Sequence, residues 1–176
     1  MKLKNIPPRI VTYSGGWFDF CDPSSSNFTM EDIAIGLART PRFSGQFARD
    51  SEYFYSVAEH SINIMHECNG TEEKRYALLH DASEAFMGDV PAPLKQLCPD
   101  YKGIEEMVQR AIYRRFALDP DNVPKRVKEV DAHILVTEMH RLTNASQWKP
   151  WAAMEANGIK QYGYMTFELR SPERAF

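Results

Sequence analysis

Cysteine is scarce in this chain, and nothing in its spacing suggests pairing. Cys21, Cys68 and Cys98 are odd in number and form no CxxC motif, which argues against a disulfide framework or a cysteine zinc site and points to reduced thiols. Long apolar runs are missing as well. The start, MKLKNIPPRIV, lacks the continuous apolar stretch of a signal peptide, and no later run approaches membrane-spanning length, so a cytoplasmic protein without a membrane partner is expected. There is no repeat or low-complexity segment. Nor is there an excess of positive charge: 21 basic residues stand against 24 acidic ones, a net charge of -3, with no evident basic stripe. Nucleic acid is therefore not an expected partner, because a phosphate backbone is held by clustered Lys and Arg.

The sequence does contain enough apolar residues to bury a core, and its 176 residues fall within the usual range of one domain. RIVTYSGGWFDF has two short β-prone runs around Ser14-Gly15-Gly16 and predicts a hairpin packed on a helical body. CDPSSSN reads as loop, after which Thr29 caps a helix through Leu37. Phe54 to Cys68 carries Val57, Ile64 and Met65 at helical intervals. Asn69-Gly70-Thr71 then stops that helix and starts another, running as EEKRYALLHDASEAFMG. Residues 101 to 118 place Ile104, Val108, Ala111, Ile112 and Phe116 on an apolar face, and VPKRVKEVDAHILVTEMHRL forms a stripe of Val127, Val130, Ile134, Leu135 and Met139. A mainly α fold with a short N-terminal β-hairpin follows. After Asn144 the chain turns aromatic-rich (QWKPWAAMEANGIKQYGYMTFEL), a segment suited to covering a pocket or making a subunit contact.

Four side chains in these helices have the chemistry of a metal site. His60 lies among apolar neighbours, His80-Asp81 follows Ala77, Leu78 and Leu79, and Asp131 sits inside the stripe of its helix, where a buried carboxylate requires a partner. Two imidazoles and two carboxylates suit zinc, manganese, cobalt or iron. Such an ion keeps open positions for a water that it acidifies and for a phosphoryl oxygen whose developing charge it stabilises. Glu84, one turn beyond His80-Asp81, places a further carboxylate beside the ion. His133 and His140 are turned roughly 200° and roughly 180° from Asp131 on an ideal helix and should point elsewhere.

RFSG, YSVAEHS, HDASEAF, GDVPAPLK and VDAHIL, in this order, resemble the small HD-domain phosphohydrolases, which include bacterial 5'-deoxynucleotidases and phage or prophage relatives. The resemblance covers most of residues 9 to 143. It implies an HD-domain helical bundle, one domain over 1–176 with its core at about 29–143. The family's metal ligands fall on His60, His80, Asp81 and Asp131, and its catalytic carboxylate on Glu84. Asp89 resembles the acidic residue near the sugar, Lys95 a basic residue facing the phosphates, and Arg42-Phe43 the Arg-aromatic pair near the nucleotide. A guanidinium can grip a phosphate through two donors and an aromatic ring can stack on a base. Gly163-Tyr164 is followed by Met165, not by the proline of the Gly-Tyr-Pro signature found in the branch that cleaves cyclic dinucleotides.

What the resemblance implies is a metal-dependent hydrolase of deoxynucleoside 5'-phosphates, with a second divalent ion such as magnesium accompanying the phosphates. Within the family the chain resembles the compact phage and prophage members. The first choice within them is a dATP triphosphohydrolase, releasing deoxyadenosine and triphosphate in phages that replace adenine with 2-aminoadenine, and acting in the host cytoplasm. Ser44 and Gly45 after Phe43 are small, so another part of the pocket would have to reject the 2-amino group of guanine. The alternatives are a 5'-deoxynucleotidase acting on monophosphates and a non-catalytic nucleotide-sensing module; the complete set of ligands with Glu84 favours catalysis. Related proteins form dimers or larger rings, so a homo-oligomer is expected.

Overall fold

A computed structural model describes residues 7–47, 54–143 and 149–165, with the side chains of residues 149–151 left aside. The described chain is mainly α, with one two-stranded antiparallel sheet at its N-terminal end. Part of the aromatic-rich segment expected to cover a pocket, residues 144–148 and 166–176, lies outside the described residues.

The hairpin pairs β1 (Arg9–Val11) with β2 (Trp17–Asp19) in the register Arg9↔Asp19, Ile10↔Phe18, Val11↔Trp17. Gly15 supplies the positive φ of 84° that its turn requires. Side chains alternate across β2, which turns Phe18 to the face opposite Trp17 and Asp19. The Phe18 ring is fully buried, stacked 4.1 Å from Phe86 and tilted against Phe28. Asp32 ties the hairpin turn to the helical body, accepting from the Ser14 backbone N at 2.7 Å and the Ser14 hydroxyl at 2.9 Å.

The same Asp32 completes a capping box with Thr29 at the start of α1 (Met30–Arg39). Ser56 and Glu59 form a second box at the start of α2 (Val57–Glu67). Reciprocal bonds of this kind satisfy two N–H groups that the first turn of a helix leaves unpaired. α3 (Gly70–Leu79) returns along α2, and α6 (Pro99–Arg115) and α7 (Lys125–Leu142) complete the body, with α2 packed on α1, α3 and α7. Ile33, Leu37, Val57, Ile64, Tyr76, Ala77, Val108, Ile112, Val127, Val130 and Ile134 form the buried core between them. Ile104 and Leu135, placed on apolar faces by their spacing, are 38% exposed and partly buried.

The helix predicted to continue from Glu72 through Gly88 breaks after Leu79. Ala82 N bonds back to Leu79 O at 3.1 Å and Glu84 N to Asp81 O at 3.0 Å, both one residue short of α-helical spacing. Gln109 of α6 explains how the break survives burial. Its amide donates to Leu79 O at 2.6 Å and accepts from Ser83 N at 3.0 Å, pairing backbone groups that the helix no longer serves. The chain resumes as the short α4 (Glu84–Met87) and, beyond Gly88-Asp89-Val90-Pro91, as α5 (Ala92–Leu97).

α4 is held by α1 at close range. A Cβ built on Gly36 would lie 2.7 Å from the carbonyl oxygen of Ala85 and 2.8 Å from its Cβ, contacts that only a backbone shift can relieve. Gly36→Ala is expected to destabilise the protein by about 1–3 kcal/mol in urea unfolding, the usual cost of overpacking. A midpoint equal to or above that of the parent would mean that α1 and α4 can separate freely.

Candidate metal centre

His60 is fully buried on α2, His80 and Asp81 occupy the break between α3 and α4, and Asp131 projects from α7. One ligand atom each from His60, His80 and Asp131 lies within 4.8 Å of the others. Asp81 joins them through Oδ2, which is 3.1 Å from His80 Nε2 and 3.8 Å from His60 Nε2. His60 Nε2 also lies 3.2 Å from Asp131 Oδ1. These approaches lack hydrogen-bond geometry, so both Nε2 atoms are buried polar atoms without a hydrogen-bond partner.

The opposite ring nitrogens are well engaged. His80 Nδ1 is 2.8 Å from Ala77 O, an acceptor only, and His60 Nδ1 is 2.6 Å from Glu138 Oε1. In each ring Nδ1 therefore carries a proton, which leaves Nε2 as the nitrogen that faces the carboxylates. Buried Nε2 atoms with no partner, facing two carboxylates, fit a divalent cation. The positions of His133 and His140 agree with the helical angles: His133 Nδ1 meets the backbone of Lys160 and His140 pairs with Glu155 at 3.1 Å.

Charge balance leads to the same conclusion. Burial pushes the His80 imidazole down, but Asp81 beside it overrides that and raises its pKa to about 9. Burial and Arg42 also oppose protonation of His60, whose pKa is nonetheless raised by Glu138 and Asp131. Burial raises Glu84 to about 9, reinforced by Asp81 and Asp89 and opposed by Lys95 and Arg42. A cluster that holds extra protons in this way has a surplus of negative charge, which a bound cation would relieve.

Glu84 is buried at the first position of α4, with Oε1 3.5 Å from Lys95 Nζ and Oε2 unpartnered. Lys95 itself is held at 2.5 Å by Glu105 of α6. Asp89 accepts from the Phe43 backbone N at 3.2 Å, which fixes the 42–45 loop. That loop is strained: Phe43 and Ser44 have φ of 53° and 52°, left-handed values uncommon for residues with a Cβ. The Phe43 ring lies 5.3 Å from the Arg42 guanidinium and is partly exposed. Arg42 is itself buried, with Nη2 3.2 Å from Glu138 and Nη1 3.9 Å from Asp81 and 4.0 Å from Asp89. Its Nε has no partner.

Arg42 thus reaches Asp81 and Asp89, Phe43 is tied to Asp89, and Lys95 reaches Glu84. A cavity of about 310 Å3 opens beside His80 and Asp81, lined also by Lys95, Lys102 and Glu105 among others, but not by Arg42, Phe43 or Asp89. Tyr55, Glu105, Gln109 and Glu138 belong to the same neighbourhood and carry no motif of their own. For Glu138 a signal did exist. Seven residues separate it from Asp131, which puts the two within roughly 20° on one helix face.

No family model matches the chain. Uncharacterized protein YfdR of Escherichia coli K12 is 37% identical over 133 residues, a match spanning 76% of this chain and 71% of that protein. Uncharacterized protein RCAP_rcc00048 of Rhodobacter capsulatus is 33% identical over 144 residues, spanning 76% of this chain and 72% of its own. A 5'-deoxynucleotidase of Enterobacter sp. strain 638 is 30% identical over 99 residues, which is 46% of each chain.

Proposed function

This chain belongs to the family of YfdR and RCAP_rcc00048, and on that premise we propose that it is a metal-dependent phosphohydrolase of deoxynucleoside 5'-phosphates, acting first on monophosphates. The observation that carries the proposal is the convergence of two unpartnered imidazole nitrogens on Asp81 and Asp131, with the high-pKa carboxyl of Glu84 beside them. His60, His80, Asp81 and Asp131 would hold zinc, manganese, cobalt or iron, which when bound polarises a phosphoryl oxygen and acidifies a water.

The residues of the chain provide the remainder. Hydrolysis forms a bond from a water oxygen to phosphorus and breaks the bond from phosphorus to the 5'-oxygen. One proton passes from that water to the departing alkoxide. Glu84 is poised for the transfer: its Oε2 has no hydrogen-bond partner, and in the metal-free chain burial, with Asp81 and Asp89, holds its carboxyl well above the usual carboxylate range. Lys95 brings an ammonium beside Glu84, where it can offset phosphate charge. The partly exposed Phe43 ring offers a face for a base or sugar.

Two features favour a monophosphate over dATP. The sequence similarity to a 5'-deoxynucleotidase is one. The other is that both cations assigned to the nucleotide are already engaged, Arg42 by Glu138, Asp81 and Asp89 and Lys95 by Glu84 and Glu105, which leaves Lys102 as the further cation of the cavity lining. A triphosphate would need more cationic partners than these described residues offer, or a second divalent ion such as magnesium. The metal-loaded protein, given a panel of dNMPs and dNTPs, is expected to release orthophosphate from monophosphates. Triphosphate released from dATP alone would transfer the assignment to a dATP triphosphohydrolase. Release of neither would leave a nucleotide-sensing module.

A further inference from the structure

Glu138 is wholly buried in the last half of α7, and its carboxylate has three side-chain partners from three other parts of the chain. Oε1 receives His60 Nδ1 at 2.6 Å and the Tyr55 hydroxyl at 2.8 Å, and Oε2 receives Arg42 Nη2 at 3.2 Å. Asn63 donates to the Tyr55 hydroxyl at 2.8 Å, which leaves the Tyr55 proton for Glu138. A buried carboxylate is costly unless charge-assisted hydrogen bonds of this kind surround it. Here they also connect two sites, since His60 faces the candidate metal ligands and Arg42 faces Asp81, Asp89 and Phe43.

We propose that Glu138 is the positioning residue of the metal centre: it holds the Nδ1 proton of His60, so that Nε2 is the metal-facing nitrogen, while Arg42 keeps it charged from the nucleotide side. This rests on the metal site proposed above. The physical basis is general. A carboxylate on the remote nitrogen of a ligating imidazole fixes the ring and its tautomer and makes the ligating nitrogen more basic, and loss of such a partner lowers metal affinity about 10–100-fold.

The test uses the whole protein and zinc, titrated in competition with a chelator of known affinity. Glu138→Gln keeps the side-chain shape and removes the charge. At least tenfold weaker zinc binding is expected, with the folded state checked by circular dichroism. A folded variant that loses less than tenfold overturns the proposal. Should the variant fail to fold, the zinc-loaded parent decides through nitrogen-15 spectra of its histidine rings: Nδ1–H with metal on Nε2 at His60 supports the assignment, and metal on Nδ1 refutes it. Neither readout depends on turnover. A protein that binds zinc as described and hydrolyses no nucleotide would sink the hydrolase proposal and leave this one standing.

Discussion

Replacement of Glu84 by glutamine is expected to lower the rate of deoxynucleotide hydrolysis about 10²–10⁴-fold, the usual contribution of a positioned proton-transfer group, with metal content unchanged. Glu84 is not among the His60, His80 and Asp131 trio and has one oxygen without a partner. The same substitution should stabilise the metal-free protein. Burial raises the carboxyl pKa from 4.5 to about 9 in the folded chain, so between these values the unfolded chain loses a proton that the folded chain retains. Stability from this group therefore falls as pH rises through that window, and removing the group restores it. A gain of at least about 1 kcal/mol at pH 8, absent at pH 4, is the expected sign. Loss of activity together with loss of stability would instead mark Glu84 as a packing residue, and unchanged turnover would remove it from the chemistry.

The parts of the site legible in the sequence were those written in local spacing. Thr29 at its cap, the Gly15 turn, and His133 and His140 pointing away from Asp131 all follow from period, cap and turn chemistry within a few residues. The break at His80 does not. Its sequence continues as good helix former, and what allows the break is Gln109, a residue of α6 that pairs with Leu79 O and Ser83 N. Long-range polar satisfaction of this sort leaves no periodic trace. The surroundings of Arg42 were illegible for the same reason. A surface guanidinium ready to grip phosphate and a buried one engaged by Glu138, Asp81 and Asp89 read identically in one dimension. Glu138 lies between these cases: its spacing from Asp131 was available, but only with His60 placed beside α7 does a second carboxylate on that face acquire a purpose.

Removal of a single side chain of the proposed ligand set should empty the proposed metal site, and the pH dependence of loading should identify the protons involved. His60→Ala removes one of the converging ring nitrogens and Asp131→Asn removes a carboxylate charge 3.2 Å from it; metal content by mass spectrometry is expected to fall at least tenfold in each, and turnover with it. For the parent chain, His80 has its pKa raised to about 9 by Asp81 against the pull of burial. In the metal-free state it is therefore protonated at neutral pH, and its pairing with Asp81 contributes stability that is fully present below the ordinary histidine pKa of about 6.5 and is lost as pH rises through about 9. A cation must displace that proton to reach Nε2. Apparent affinity for zinc should then climb about tenfold per pH unit for each proton displaced, and level off near pH 9. Thermal melts would show the same linkage, because a ligand bound only by the folded chain raises its melting temperature more as its affinity grows. Zinc binding independent of pH between 6 and 9, or full occupancy in both variants, would place the ion elsewhere and dissolve the proposed centre.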